Sequence, residues 1–95
     1  MSGKVTVFIS AISSDMERKK NQRTIEDVLS GQKIEFELVD VSASRDELQR
    51  MRDIVGKPDA LAPQIANGED YCGDFAAFDE AVEDKRLKEF LKVDV

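Results

Sequence analysis

The first apolar segment of the chain indicates a buried strand followed by a helix. Residues 4–10, KVTVFIS, are β-branched and mostly apolar, which is typical of a strand covered on both faces. Ser14 and Glu17 have the spacing of a capping box, in which each side chain satisfies a backbone N–H of the first helical turn. The helix is predicted over residues 15–30. Its apolar stripe comprises Met16, Ile25, Val28 and Leu29.

The second apolar segment repeats this strand–helix pattern. Residues 34–42 alternate between polar and apolar and then run apolar, which predicts a second strand. Ser44 and Glu47 form another capping-box pair at the start of a helix over residues 45–55. Gly56 is predicted to end this helix, and a proline two residues later blocks its continuation.

A hairpin and two short helices are predicted for the last third of the chain. The Asn-Gly dipeptide at positions 67–68 is a strong two-residue hairpin signal, so residues 64–66 and 69–72 are predicted to pair as strands. Asp74 can cap a third helix, and a final apolar cluster near the C-terminus predicts a fourth. The order β-α-β-α-β-β-α-α predicts an α/β fold. A helical crossover makes the first two strands parallel, and the hairpin adds an antiparallel pair, giving a four-stranded mixed sheet flanked by helices.

Length and charge narrow the classes of function. A chain of 95 residues predicts a single domain over residues 1–95. Its net charge of -6 argues against nucleic acid or an anionic membrane as a partner, because both require a basic surface. The basic cluster at residues 18–23 is mixed with acidic neighbours and is interpreted as a solvated helix face. No apolar run approaches the roughly 20 residues of a membrane span, and we expect a soluble monomer.

The cysteine and histidine content excludes several kinds of site. Cys72 is the one cysteine of the sequence, so no intramolecular disulfide can form, which favours a reducing compartment. Histidine is absent, which excludes His-based catalytic triads and His-ligated zinc sites. We therefore expect neither a metal nor a cofactor. The single cysteine favours the cytoplasm as the location, with the nucleus as an additional one.

Several short motifs resemble a known group of proteins. Glutaredoxins, a branch of the thioredoxin-like proteins, carry Thr-Val-Pro with a cis proline, then a hairpin, a glycine turn and an Asp-containing helix start. The counterparts here are LAP at 61–63, NG at 67–68 and GDF at 73–75. Together with FELVDVS, APQIANGEDYCGDF and FDEAVED…LKEFLK, they resemble the SH3-domain-binding glutamic-acid-rich-like family, over nearly the whole chain, and its short form without the acidic tail. The resemblance implies a small thioredoxin-like protein without the redox cysteine pair, with Pro63 in the cis form.

The family name refers to a proline-rich segment of the longer relatives that was proposed to bind SH3 domains. Such ligands need a PxxP motif in the polyproline II conformation. The two prolines of this chain, Pro58 and Pro63, are five residues apart and form no PxxP. We therefore do not expect SH3 binding through that motif.

The position of the redox nucleophile contains no thiol. In thioredoxin-like proteins the reactive cysteine lies where the first strand meets the first helix, and residues 10–20 of this chain contain none. Ser13 and Ser14 occupy that neighbourhood, and a serine hydroxyl cannot form a mixed disulfide. Ser14 is interpreted as a helix cap. We therefore predict that the chain is not an oxidoreductase, and not an enzyme.

Cys72 has two interpretations. It can be a partly buried small hydrophobic residue in a strand, as free cysteines often are. Alternatively it can be a redox-sensitive thiol near a helix start, open to oxidation or to modification by glutathione. Asp74 nearby would oppose formation of the thiolate and favours the first interpretation.

The resemblance also implies a groove. In glutaredoxins the backbone before the cis proline, here Ala62 next to Pro63, binds the cysteinyl part of glutathione. Gly73 and Asp74 stand where relatives hold the γ-glutamyl end. Our hypothesis is a non-catalytic protein-binding or regulatory module whose partner contacts this groove near Ala62, Ser13 and Ser14, or the acidic surface. The alternatives are weak glutathione binding without turnover and a sensor based on Cys72.

Overall fold

The computed structural model describes residues 4–12 and 15–93. These residues form four strands and four helices in the predicted order β-α-β-α-β-β-α-α. The elements are β1 (Val5–Ile9), α1 (Met16–Gly31), β2 (Phe36–Asp40), α2 (Arg45–Val55), β3 (Gln64–Asn67), β4 (Asp70–Asp74), α3 (Phe75–Glu83) and α4 (Leu87–Leu91).

The four strands form one mixed sheet in the order β2-β1-β3-β4. β1 pairs in parallel with β2, in the register Val5 to Phe36, because α1 returns the chain to the same end of the sheet. β1 pairs antiparallel with β3, in the register Phe8 to Gln64, and the hairpin adds β4 antiparallel to β3. The predicted mixed sheet is confirmed.

Apolar side chains on the two faces of the sheet form two core clusters. Side chains alternate along β1, so Val5 and Val7 point to one face and Phe8 to the other. The first cluster, beneath α1, α3 and α4, contains Val5, Val7, Ile25, Leu29, Ile65, Phe78, Leu87 and Leu91. The second, beneath α2, contains Phe8, Val39, Val41, Met51, Ala60, Ala62 and Ala66. The strand covered on both faces that KVTVFIS predicted is therefore present as β1.

The first helix begins one residue later than predicted, and its cap differs. The N-cap residue is Asp15, whose carboxylate accepts hydrogen bonds from the backbone N–H of Glu17 at 3.0 Å and of Arg18 at 3.3 Å. The prediction of Ser14 as the cap was wrong, because Asp15 is an equally good cap and takes that role. The second helix matches the prediction: Ser44 accepts from the Glu47 N–H, and the helix closes at Gly56 in a left-handed conformation.

The hairpin turn is also displaced by one residue. Asn67 belongs to β3 and pairs with Asp70, so the turn residues are Gly68 and Glu69 rather than 67–68. Gly68 takes the positive φ of 62° that the turn requires. The physical reason is a long-range contact: the side-chain amide of Asn67 donates to the carbonyl of Leu91 at the end of α4, at 2.9 Å, which holds Asn67 in the strand. The end of β4 also differs, since the strand runs two residues beyond the predicted one.

Candidate functional site

Four strand termini meet at one end of the sheet, which we call the apical end. β1 and β2 both finish there, at Ile9 and Asp40, which are paired in register. β3 begins there at Gln64, which is paired with Asp74 at the end of β4. The apical end therefore collects the β1–α1 junction, the segment before β3 and the start of α3, which are the three segments that the resemblance assigned to a groove.

Two polar side chains hold the described part of the β1–α1 junction. Gln22 of α1 is only 6% exposed, and its amide bonds both backbone groups of Ser10: it accepts from the N–H at 2.9 Å and donates to the carbonyl at 3.3 Å. Asp40 at the end of β2 accepts from the Ala11 N–H at 3.2 Å and from the Ser42 N–H at 3.0 Å. These bonds determine where the chain leaves β1.

Asp40 is held as a carboxylate by these donors. The hydroxyl of Ser42 donates a hydrogen bond to the Asp40 carboxylate, and this bond contributes most to lowering the pKa of Asp40 below its usual value. The hydrogen bond from the Ala11 N–H is the next largest contribution. Sequence reasoning missed both Gln22 and Asp40. A polar residue among the apolar positions of α1 was the available signal for Gln22, and nothing local marked Asp40. Ser13 and Ser14, the predicted site residues of this junction, lie outside the described residues.

The segment before β3 is compact and contains a cis peptide bond between Ala62 and Pro63, as the resemblance implied. Both residues are buried. The buried side chain of Gln64 supports the segment, because its amide donates to the carbonyl of Leu61 at 2.8 Å and accepts from the Tyr71 hydroxyl at 2.7 Å. Gln64 therefore connects the pre-β3 segment to β4.

Gly73 and Asp74 have structural roles at the start of α3. Gly73 has a φ of 154°, and a Cβ atom there would lie 2.8 Å from Cε1 of Phe90 and 2.9 Å from Cβ of Ala77. Asp74 is the N-cap of α3, and its carboxylate accepts from the Ala77 N–H at 3.0 Å. The cap uses one of the amides that an anionic ligand would otherwise find at this helix start.

Cys72 lies in β4, not at the start of a helix. β4 carries a bulge here, since Ala66 pairs with Tyr71 and Ile65 with Gly73, which leaves Cys72 between the two pairs. The thiol is half-buried against the first core cluster, and its Sγ donates to the Asp70 carbonyl at 3.8 Å.

The surroundings of Cys72 disfavour the thiolate. Burial is the largest cause that raises the pKa of its thiol; the charge of Asp70 adds to it, and the charge of Lys92 opposes it. The prediction that Asp74 is the opposing carboxylate was wrong. The bulge places Cys72 against the first core cluster, whereas Asp74 and Tyr71 pair with Gln64 and Ala66, two positions apart on β3, and so share the other face. The charge of Asp74 adds to the effect of burial in raising the pKa of Tyr71.

The apical end exposes three large apolar side chains. Ile12 in the β1–α1 junction is 80% exposed, Met16 at the first position of α1 is 76% exposed, and Leu61 before β3 is 53% exposed. Met16 was predicted to belong to the buried stripe of α1. That prediction was wrong, because Met16, at the N-terminal end of α1, packs in neither core cluster, whereas Ile25 and Leu29 further along the helix are fully buried in the first one.

Two kinds of site find no support in the described part of the chain. Within residues 4–12 and 15–93, no group of three or more Asp, Glu or Cys side chains is arranged to hold a metal ion. Over the same residues, no helix is both long and apolar enough to cross a membrane.

The fold and the apical end define a thioredoxin-like domain of the glutaredoxin type. Over 93% of this chain and 76% of the other, the solved structure of a buckwheat glutaredoxin–glutathione complex superposes with a TM-score of 0.68 at 11% sequence identity. Glutaredoxin C1 from Populus tremula x tremuloides superposes with a TM-score of 0.65 at 15% identity, covering 95% and 84% of the two chains. At such identities the likeness concerns the fold.

The chain is also similar to one more solved structure and to a protein-family model. The actin interacting protein Aip5 of C. albicans superposes with a TM-score of 0.76 at 24% identity, over 93% of this chain and 87% of that one. The family model described as SH3-binding, glutamic acid-rich protein matches residues 3–94. The chain belongs to this family.

Proposed function

We propose that the chain is a non-catalytic glutaredoxin-like module that binds a protein partner through its apical end. One observation carries the proposal. The position of a glutaredoxin nucleophile has no cysteine in this sequence, and the same end of the sheet exposes Ile12, Met16 and Leu61 instead. We place this activity in a reducing compartment such as the cytoplasm, because the sequence has a single cysteine.

The absence of a thiol from the apical end argues against disulfide exchange, which is the chemistry that the fold hosts in glutaredoxins. Exchange requires a thiolate that attacks a disulfide sulfur and forms a mixed disulfide. Cys72 lies in the β4 bulge, half-buried and with a raised pKa, so it is a poor substitute for the missing nucleophile.

The exposed apolar side chains argue for a protein partner. Single exposed apolar residues are ordinary on protein surfaces, but three large ones at one end of a small domain indicate an interaction site. Burying a side chain of this size is worth about 1.5–3 kcal/mol. A structural neighbour is named for its interaction with actin, which is one example of this fold serving protein binding.

The first test measures oxidoreductase activity with a glutathione mixed-disulfide substrate. We expect no turnover above the uncatalysed rate, with a true glutaredoxin as the positive control and Cys72→Ser as the matched variant. Turnover within tenfold of the glutaredoxin would refute the non-catalytic part of the proposal. Turnover that disappears in Cys72→Ser would assign it to that thiol.

The second test locates the binding surface. A photo-crosslinking amino acid is placed at position 12, at position 61 or, as a control at the opposite end of the sheet, at position 33. We expect partner adducts from positions 12 and 61 and none from 33. The variant Ile12→Ser/Met16→Ser/Leu61→Ser should retain its melting temperature and lose the partner. Equal adducts from all three positions would refute an apical binding site.

Weak glutathione binding is the second candidate function. Among the described residues, no backbone hydrogen bond in the turns and loops involves Ala62, which supports this candidate, whereas the residue is only 5% exposed, which limits access to these groups. The Asp74 carboxylate opposes glutathione binding, because this carboxylate already caps α3 and adds negative charge where the γ-glutamyl end of glutathione would lie. A titration with reduced glutathione, followed by the NMR chemical shifts of the backbone amides, tests this candidate. Saturating shifts at Ala62, Gln64, Gly73 and Asp74 would favour glutathione binding. The absence of such shifts at millimolar glutathione would reject it.

A further inference from the structure

One face of α1 runs from the exposed apolar residues into a charged groove. Met16, Lys19 and Arg23 follow one another at spacings of three and four residues, which places them in one row along the helix. Lys19 and Arg23 line a groove together with Gln22 and with Ser10 and Ala11 of the β1–α1 junction. Ala11 directly precedes the exposed Ile12, so the groove begins next to that side chain in the chain.

The cations of this groove are available for an external partner. In the part of the chain that the structure describes, neither Lys19 nor Arg23 takes part in an ion pair. Both side chains are exposed. Lys19 and Arg23 are therefore positive charges close in the chain to the exposed Ile12 and Met16, in a protein whose net charge is -6.

The same row of α1 ends in opposite charge. Glu26 and Asp27 line the far part of the groove, one helical turn beyond Arg23. The row is therefore apolar, then cationic, then anionic, along a rise of about 1.5 Å per residue. This order restricts the ligand: a partner with one or two acidic groups near its apolar anchor is attracted, whereas a long acidic tract would reach Glu26 and Asp27 and be repelled.

We propose that the apical end binds an extended protein segment in which an apolar side chain is followed, about two residues later, by an acidic one. The apolar residue contacts Ile12, Met16 and Leu61, and the acidic residue pairs with Lys19 and Arg23. The spacing follows from the helix: the middle of the Lys19–Arg23 pair lies roughly 7 Å along α1 from Met16, which an extended chain covers in about two residues. This inference rests on the proposed function and specifies its partner.

Selection from a random peptide library tests this specificity directly. A display library of random dodecapeptides is selected on the wild-type protein and, separately, on the charge reversal Lys19→Glu/Arg23→Glu. We expect the peptides selected on the wild-type protein to be enriched in Asp or Glu two to three positions from Leu, Ile, Met or Phe. The charge reversal should select Lys or Arg at that position instead.

Affinity measurements with a selected peptide then show how much the charges of Lys19 and Arg23 contribute to binding. For a fluorescein-labelled peptide from the wild-type selection, Lys19→Glu/Arg23→Glu should weaken binding at least tenfold, and replacing the acidic residue of the peptide by lysine should reverse this preference. The control Lys33→Glu/Lys88→Glu changes the net charge equally at the opposite end of the sheet and should change the affinity less than twofold.

The outcomes distinguish this inference from the proposed function. Peptides without an acidic preference, or with affinities unchanged by Lys19→Glu/Arg23→Glu, overturn the inference. If such peptides still lose binding to Ile12→Ser/Met16→Ser/Leu61→Ser, the apical binding site stands and only its acidic specificity is wrong. If no peptide is enriched, or binding is insensitive to both variants, the inference and the peptide-binding role fail together.

Discussion

Gly73→Ala tests whether this glycine is required by the packing of α4. Gly73 has a φ of 154°, which side-chain-bearing residues rarely adopt. An added Cβ would lie 2.8 Å from Cε1 of Phe90 and 2.9 Å from Cβ of Ala77, well inside van der Waals contact. The substitution therefore meets both a backbone penalty and a steric one.

The two penalties are large compared with the stability of a small domain. Holding a residue with a side chain in such a backbone conformation costs about 1–3 kcal/mol, and overpacking a core contact costs a further 1–3 kcal/mol or so. The sum, about 2–6 kcal/mol, compares with a free energy of unfolding of roughly 5–15 kcal/mol for a native domain. For a chain of this size we expect a melting temperature lower by at least about 8 °C.

Urea unfolding followed by circular dichroism measures the effect. Gly31→Ala is the matched control, because no atom lies within 4 Å of its added Cβ and its φ is not in the positive range; we expect its stability to change by less than about 1 kcal/mol. Phe90→Leu removes the ring atoms that meet the new Cβ. The cost of Gly73→Ala should therefore fall by about 1 kcal/mol or more in the Phe90→Leu background.

Two results would refute this reasoning. A cost of Gly73→Ala below about 0.5 kcal/mol would mean that the backbone and α4 accommodate the methyl group. A full cost that Phe90→Leu leaves unchanged would assign the penalty to the backbone and to Ala77 alone, and the close approach of α4 would not be the reason for the glycine.

Three further predictions concern Asp40, Cys72 and Asn67. The Asp40 pKa is lowered in the folded protein, so its contribution to stability is complete above its unfolded pKa of about 3.9 and is lost as the pH falls through the folded value. Asp40→Asn should therefore be less stable than wild type at pH 7, with the difference shrinking below about pH 4 in urea titrations; a constant difference would contradict this. The raised pKa of the Cys72 thiol predicts labelling by iodoacetamide at pH 7 that is slower than for a free cysteine and accelerates as the pH rises. Fast labelling that does not depend on pH would instead support the redox-sensor alternative. Asn67 is 3% exposed and its amide holds the carbonyls of the last turn of α4, while its own Oδ1 has no partner among the described residues. Asn67→Ala should increase amide exchange in α4 at least tenfold with little change in the other helices, as hydrogen exchange would show, and uniform protection would refute the role of Asn67 as an anchor.

Features that depend on a few neighbouring residues could be predicted from the sequence. The run of β-branched residues in KVTVFIS specified β1 as a strand buried on both faces. Ser44, Glu47 and Gly56 specified both ends of α2, because a cap and a left-handed glycine are local signals. The element order then led to the mixed sheet, since a helical crossover permits a parallel pair and a two-residue turn permits an antiparallel one.

Local signals failed where two residues could play the same part. Asp15 and Ser14 are both good caps, and the sequence could not rank them. The Asn-Gly pair predicted the hairpin but not its register, since the Asn67 side chain bonds α4, 24 residues away. Met16 fits the periodicity of the buried stripe, yet it packs in neither core cluster and is exposed.

The sequence by itself determined the elements, their order and the absence of a thiol at the β1–α1 junction, because these depend on residue type and on neighbours within a turn. Only the tertiary structure decided which side chains meet at the apical end. The bonds of Gln22 to Ser10 and of Asp40 to Ala11 span 12 and 29 residues, and no local pattern encodes such pairs. Ile12, Met16 and Leu61 lie at the same end for the same reason: the antiparallel pairing of β1 and β3 brings the β1–α1 junction and the segment before β3 to one end of the sheet, where these side chains are exposed.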